Sequence, residues 1–172
     1  MKSLLLAMAL LPCSVFAQLI RQNEIDENTG KRIVRTETIA LTKGFIYNFM
    51  SSGKEKYVQV RIQKHGHFTI SENDTLVFVF EGNAKLKALA VRGGDGKVPF
   101  RPKSPGVLSL WSLFKINDSD FYMLTKNKVV SVYVIPQTPI VGYDKQLVFS
   151  HIKTKPAELL NERAKALLDC GE

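Results

Sequence analysis

The sequence predicts a mainly β protein, an antiparallel sandwich or partly open barrel with one short helix and a C-terminal helix. Several short segments alternate apolar and polar residues or form brief apolar runs, as strands do. Clusters of Gly, Asn, Asp and Pro separate these segments and are typical of turns. Helical spacing of apolar residues is confined to two stretches, at about 119–126 and 156–169. Many short strands with few helices favour an antiparallel β domain.

The first 17 residues have the pattern of a secretory signal peptide. Lys2 supplies a positive charge, Leu4–Leu11 an apolar core, and Val15–Ala17 a small-residue cleavage site before Gln18. The apolar run is much shorter than the ~20 residues that cross a bilayer, so we expect no transmembrane span. The mature protein is therefore predicted to be secreted, and to be periplasmic or extracellular.

Cys13 allows a second interpretation of this leader. Leu10-Leu11-Pro12-Cys13 resembles the lipobox of bacterial lipoproteins, in which the cysteine is lipidated. Pro12 stands where that pattern has a small residue, so cleavage before Gln18 is the main prediction and a lipid anchor through Cys13 is the alternative. Cleavage would leave Cys170 as the lone cysteine of the mature chain.

The chain then divides into a signal peptide over 1–17, a flexible N-terminal arm over 18–30 and a single β-rich domain over 31–172. The arm is predicted because its residues are polar and acidic and end in the turn signal Asn28-Thr29-Gly30. Removal of 17 of the 172 residues leaves 155, a usual size for one domain.

The first strands of the domain are indicated by residue type and by alternation. Ile33–Leu41 is rich in Thr and Ile, and Phe45–Met50 is aromatic and apolar, which favours strands. Apolar and polar residues alternate across Tyr57–Lys64, so one side of this strand is expected to face water.

A hairpin is predicted in the middle of the chain. Thr75–Phe80 is a continuous apolar run, which indicates a strand covered on both faces. Gly82-Asn83 joins this run to Lys85–Val91 and is the strongest hairpin signal of the chain. The Gly- and Pro-rich stretch 93–106 predicts a long loop.

Two helices and further strands complete the domain. Asn117 or Asp118 can cap a short helix over about 119–126, which Asn127 would end in the left-handed conformation. Apolar spacing, with Pro156 in the first turn, predicts a last helix that reaches Asp169. The remaining strands are expected at 108–116, 129–135 and 146–152.

Parts of the chain resemble a known group of proteins. Glu24–Lys31, followed by Thr36, resembles the mature start of small exported β-rich proteins of certain Gram-negative bacteria, in which an acidic-Asp-Glu-x-Thr-Gly motif precedes the β-rich body. Phe68–Ile70, the run from Thr75 to Gly82, and the stretch from Phe121 to Val134 resemble later landmarks of the same group. The resemblance implies an exported address and a β-rich fold, and it carries over no site residue.

His65-Gly66-His67 is the best candidate for a metal site. Residues i and i+2 of a strand share one face, and neutral imidazole suits zinc or copper. A third ligand would have to come from His151, Glu72 or Asp74, and no HExxH or paired-cysteine motif adds support. We therefore interpret His65 and His67 as a polar strand end, and we expect no metal or other cofactor.

Lysines recur in pairs two residues apart, in a chain whose formal charge is +8 at pH 7. Such a pair on a strand projects from one face. Lys85, Lys87, Lys126 and Lys128 are the candidate cationic face, with an anionic envelope lipid or glycan as the partner. The simpler alternative is that the lysines keep exposed strands from pairing with other chains. The exported address argues against nucleic acid.

These observations predict an exported, non-catalytic binding or scaffolding module whose partner is an anionic polymer or another envelope protein. The chain has no Gly-x-Ser-x-Gly motif, and Gly93–Lys97 lacks the spacing of a phosphate-binding loop, so we expect no enzymatic activity. The alternative is an envelope hydrolase or metal-dependent enzyme that uses His65, His67 and His151.

Overall fold

The structure is a computed structural model, and it describes residues 17–65, 69–92, 107–137 and 147–171. Within these ranges ten strands form one antiparallel sheet, accompanied by two α-helices and a short 3-10 helix at Ala17–Leu19. The strands are β1 (Ile20–Ile25), β2 (Arg32–Thr36), β3 (Ile39–Thr42), β4 (Phe45–Ser52), β5 (Glu55–His65), β6 (Thr75–Phe80), β7 (Lys85–Arg92), β8 (Val107–Ile116), β9 (Val129–Ile135) and β10 (Leu147–Phe149). The helices are α1 (Asp118–Lys126) and α2 (Thr154–Gly171). The predicted mainly β class with a short helix and a C-terminal helix is confirmed.

The strands follow the order β1-β2-β4-β5-β8-β7-β6-β9-β10, and β3 pairs with β4 beside β2. In the described part of the chain β1 and β10 pair with β2 and β9 and not with each other, so the sheet is not closed. The sheet nevertheless curls strongly. The curl brings β4 and β10 together, so that the rings of Phe45 and Phe149 meet edge to face with centroids 5.1 Å apart. The curled sheet thus has an inner face and an outer face.

The inner face holds the hydrophobic core. Paired residues of neighbouring strands share a face, and the register sets Phe45, Tyr47 and Phe49 of β4 opposite the apolar residues of β5. Both sets are fully buried. The alternation expected in this strand is therefore confirmed over 57–63, and Gln59, Arg61 and Gln63 lie on the outer face.

Both helices pack on the inner side. In α1, Phe121 and Leu124 are buried, and the Phe121 ring meets that of Phe49 edge to face at 5.3 Å. The apolar stripe of α2 lies against β2, β3 and β4, with Leu160, Ala164 and Leu167 buried and Leu168 partly buried. Helix α2 extends beyond both predicted ends.

Side chains of α2 also bond its neighbours. Asn161 Nδ2 donates to the carbonyl oxygens of Leu124 and Asn127, at 2.6 and 3.0 Å, and so ties α2 to the end of α1. Arg163 Nε donates to the carbonyl of Glu37 at 3.2 Å, in the bend between β2 and β3. These contacts fix the position of the helix along the sheet.

The prediction of a flexible arm over 18–30 is wrong. Residues 20–25 form β1, which pairs with β2 from Ile20↔Thr36 to Ile25↔Arg32. The turn that follows is as predicted, and the Asp26 carboxylate accepts the backbone N–H groups of Asn28 and Thr29, both at 2.9 Å. This segment lacks the apolar pattern of a buried strand. It is ordered instead by its backbone pairing with β2 and by the turn at Asp26.

Other local predictions also need correction. The segment 33–41 is split into β2 and β3, and β10 is only three residues long. Asn127 is extended, with φ −105°, and does not end α1 in the left-handed conformation. Cys170 is buried and disulfide-bonded in the full chain; that it is the lone cysteine of the cleaved chain stays a prediction.

The predicted hairpin is confirmed. β6 pairs with β7 in register from Thr75↔Leu89 to Val79↔Lys85, and Gly82 and Asn83 both have positive φ, at 83° and 68°. The expected loop at 93–106 lies outside the described residues. No helix of the described ranges is long and apolar enough to cross a membrane.

Candidate functional site

The outer face of β5, β8 and β7 carries long polar and aromatic side chains. The register places Arg61 opposite Trp111, and Gln59 opposite Leu113, on neighbouring strands. Leu113 in turn pairs with Arg92 of β7. These residues share the outer face because they alternate with the buried core residues of the same strands.

A β-bulge sets the position of Arg92. The pairing of β7 with β8 runs from Leu89↔Lys115 through Ala90↔Phe114 and then shifts, so that Arg92 is paired with Leu113. Val91 is the extra residue. Without it, the alternation would place Arg92 beside Ser112, on the buried side of β8. The bulge therefore turns the Arg92 side chain to the outer face, the kind of re-aiming that bulges perform beside functional sites.

An open depression of about 340 Å³ lies on this face, and we call it the arginine depression. Arg35 of β2 and Arg92 of β7 contribute the charge, and the rest of the lining consists of Met50, Gln59, Trp111, Ser112 and Leu113. The volume is at the lower end of the range for small-molecule sites, roughly 300–1,000 Å³. None of the described residues that line it is acidic.

The two guanidinium groups of the arginine depression lack carboxylate partners among the described residues. Arg35 Nη2 donates to Met50 Sδ at 3.3 Å, a weak acceptor, and Arg35 Nε is buried with no hydrogen-bond partner. Several lysines on the same molecule are paired instead, as Lys115 is with Glu55 at 2.6 Å. The arginine depression thus concentrates positive charge that the described chain leaves unneutralised.

Trp111 is held at the margin of the arginine depression and remains 43% exposed. The Arg61 guanidinium carbon lies 5.8 Å from the centre of the indole ring, within the range of a cation–π contact. Arg61 Nε also donates to Ser109 Oγ at 2.8 Å, which fixes the guanidinium. A partly exposed aromatic surface is therefore presented beside the two arginines.

The lysines of the candidate cationic face lie on different elements. Lys85 and Lys87 are exposed on the outer face of β7, and Lys85 Nζ lies 6.0 Å from the centre of the Tyr133 ring. Lys126 is exposed in the last turn of α1, whereas Lys128 precedes β9 and pairs with Glu81 at 3.3 Å. Only Lys85 and Lys87 form the same-face strand pair that the spacing suggests.

The histidines give no assembled site among the described residues. His65 ends β5 and its side chain, like all of His67, lies outside the described part; His151 is exposed, with φ 57°. Asp74, a candidate third ligand, is buried and bonded to backbone N–H groups. Within the described ranges, no group of three or more His, Cys, Asp or Glu residues could hold a metal ion.

Comparison with known proteins supplies no relative: no family model, no curated protein and no solved structure matches the chain. The arginine depression must therefore be interpreted from its own chemistry. Sequence reasoning missed Arg35, Arg92 and Trp111 as a group, because β2 lies far along the chain from β7 and β8 and only the strand order and the bulge place the three residues on one face. The signal available in the sequence was its single tryptophan, Trp111. Only the strand register shows that Trp111 lies opposite Arg61 of the neighbouring strand.

Proposed function

We propose that the chain is an exported, non-catalytic binding module of the bacterial envelope whose outer sheet face recognises an anionic polymer. The observation that carries the proposal is the arginine depression, where Arg35 and Arg92 lack carboxylate partners beside the exposed indole of Trp111. The formal charge is +8 for the full chain and +7 without Lys2 of the leader, and it supports attraction of anions over a longer range.

The side chains in the arginine depression favour binding over catalysis. Its described lining contains no Asp, Glu, His, Lys, Cys or Tyr. Guanidinium, amide and indole groups as a class neither gain nor lose a proton at physiological pH. No general acid or base is thus placed in the depression, whereas its hydrogen-bond donors suit an oxyanion.

The exported address rests on the leader. Lys2, the apolar run and Ala17 before Gln18 support cleavage by a signal peptidase. We expect the intact mass of the exported protein to match a chain that begins at Gln18. A species that retains Cys13, lipidated or not, would contradict this part of the proposal.

A retention experiment tests the binding function. The exported protein is applied to immobilised lipopolysaccharide, an immobilised acidic polysaccharide and a neutral polysaccharide, at 0.1 and 1 M salt. Retention on the anionic matrices should fail at 1 M, because the Debye length falls from ~10 to ~3 Å. Equal retention on the neutral matrix, or none on either anionic matrix, would contradict the proposal.

The lysines are tested in the same assay. A variant with Lys85, Lys87, Lys126 and Lys128 replaced by Gln should bind more weakly at low salt if these residues form a cationic face, since each lysine near an anionic surface contributes about 1 kcal/mol. Unchanged retention would indicate that the lysines do not bind the polymer and instead keep exposed strands from pairing with other chains. The alternative enzyme that uses His65, His67 and His151 stays a prediction, and elemental analysis for zinc or copper tests it.

A further inference from the structure

We infer that the arginine depression binds a single sugar ring that bears a carboxylate or sulfate group, as a unit of an acidic glycan. This rests on the proposed function and narrows its ligand to one chemical class. Three groups carry the inference: the unpaired arginines, the apolar surface that includes Trp111, and the amide of Gln59.

The arginines select an oxyanion. A guanidinium presents a planar fork of N–H donors that matches carboxylate and sulfate oxygens, whereas an ammonium acts as a point charge. Arg35 Nη2 donates only to Met50 Sδ, at 3.3 Å, so an oxyanion in the depression would replace this weak acceptor by a strong one. Arg92 stands on β7, across β4, β5 and β8 from Arg35 on β2, and the bulge turns it to the same face.

The apolar surface selects a ring. Trp111 presents a broad indole next to Met50 and Leu113 in the same depression. Aromatic rings carry negative charge on their faces and positive charge at their edges, so they attract the slightly positive C–H groups of a sugar ring. The contact between Arg61 and Trp111 fixes the indole before the ligand arrives, which reduces the entropy lost on binding.

Gln59 is oriented for a hydroxyl group. Its Oε1 accepts from Asn48 Nδ2 at 3.0 Å, which leaves the Gln59 Nε2 group free to donate into the depression. Sugar hydroxyls accept such bonds, and a lipid acyl chain does not. The volume of about 340 Å³ and the open shape suit one ring of a longer chain that continues along the surface.

Trp111 provides a direct readout, because it is the only tryptophan of the chain. The exported protein is titrated with a trigalacturonate, a sulfated trisaccharide, a neutral galactotriose and an oligothymidylate, and tryptophan emission is followed. We expect a saturable change with one or both acidic sugars, which also identifies the anion. The neutral sugar should bind about tenfold more weakly or worse, since it lacks the charged hydrogen bonds.

Arg92→Gln, at an exposed position, should weaken binding of the acidic sugar about tenfold or more, and Arg35→Gln should do the same. Lys54→Gln is the matched control, since it removes one exposed charge in the turn between β4 and β5, outside both the arginine depression and the candidate cationic face, and it should bind like the parent. Circular dichroism confirms that each variant is folded. If Arg35→Gln does not fold, Arg92→Gln alone decides.

The outcomes separate the two proposals. Retention on the acidic polysaccharide without a change in Trp111 emission, or with Arg92→Gln unchanged, would overturn the sugar site and leave the binding module intact. Tighter binding of the oligothymidylate than of either acidic sugar would overturn the glycan class. Failure of retention and of every titration would overturn both proposals.

Discussion

Asp74 is a buried carboxylate whose two oxygens each accept a backbone N–H, from Ser71 at 2.9 Å and from Gln137 at 2.8 Å. It therefore joins the turn before β6 to the segment after β9. Asp74→Ala removes both acceptors and should lower the free energy of unfolding by about 1–3 kcal/mol. Urea denaturation measures the change. The exposed neighbour Glu72, replaced by Ala, should change it by less than about 0.5 kcal/mol, and an equal loss in both variants would contradict the assigned role.

Glu55 is the centre of a surface charge network. Lys115 Nζ donates to its carboxylate at 2.6 Å and Tyr57 OH at 3.0 Å, and Lys31 Nζ lies 3.7 Å away. The hydrogen bond from Lys115, followed by that from Tyr57, lowers the pKa of Glu55 below its ordinary 4.5. A carboxyl with a lowered pKa stabilises the fold above its ordinary pKa and loses that contribution as the pH falls through the folded value.

Glu55→Gln should therefore be less stable than the parent at pH 7, and the difference should shrink as the pH falls below 4.5. The same hydrogen bond raises the pKa of Lys115, so the difference should also shrink when the pH rises above 10.5. Thermal unfolding of both proteins across this pH range measures it. A difference that stays constant with pH would show that the network does not act through charge.

At the scale of the elements, helix α2 covers the inner side of the sheet through its apolar stripe. Leu160 is fully buried there, so Leu160→Ala leaves a cavity and should cost about 2–5 kcal/mol of stability. Denaturant unfolding measures the cost. Lys165→Ala, at an exposed position of the same helix, is the control and should be close to neutral. Equal effects of the two substitutions would mean that α2 is not docked as described.

The turn between β3 and β4 depends on a glycine. Gly44 has φ +83°, and a Cβ at this position would collide with the carbonyl oxygen of Gln63 on β5. Gly30 has a similar φ of +65° but open space around it, so the two glycines form a matched pair. Gly44→Ala should destabilise the protein by more than Gly30→Ala, and by at least about 1 kcal/mol. Equal losses would show that only the φ angle matters.

Elements with a local signal could be predicted, and those set by pairing could not. The hairpin at Gly82-Asn83 is encoded by adjacent residues whose positive φ angles suit Gly and Asn. Strand β1 was missed because an edge strand of polar residues is ordered by backbone bonds to β2, which no side-chain pattern reveals. The arginine depression was missed because the bulge at Val91 and the register of β8 decide which residues share the outer face.

In the whole molecule, the inner face of the sheet provides stability and the outer face carries the proposed binding site. Helices and core residues occupy the inner face, whereas the arginine depression and the pair Lys85 and Lys87 lie on the outer face. Substitutions in the outer set should therefore alter ligand binding with little change in stability. Chemical denaturation of Arg92→Gln beside the parent checks this separation, and a loss above about 1 kcal/mol would contradict it.

The pairing of β5 with β8 has a consequence for the order in which the chain folds. β1 to β5 and β6 to β8 each form from segments that are close along the chain. The free edge of β5, however, can pair with β8 only after residues 107–116 have been synthesised. Until then, an emerging chain carries an unsatisfied edge of eleven residues that alternates apolar and polar positions. Such an edge readily pairs with other chains, so folding should be slow and sensitive to concentration until β8 closes it.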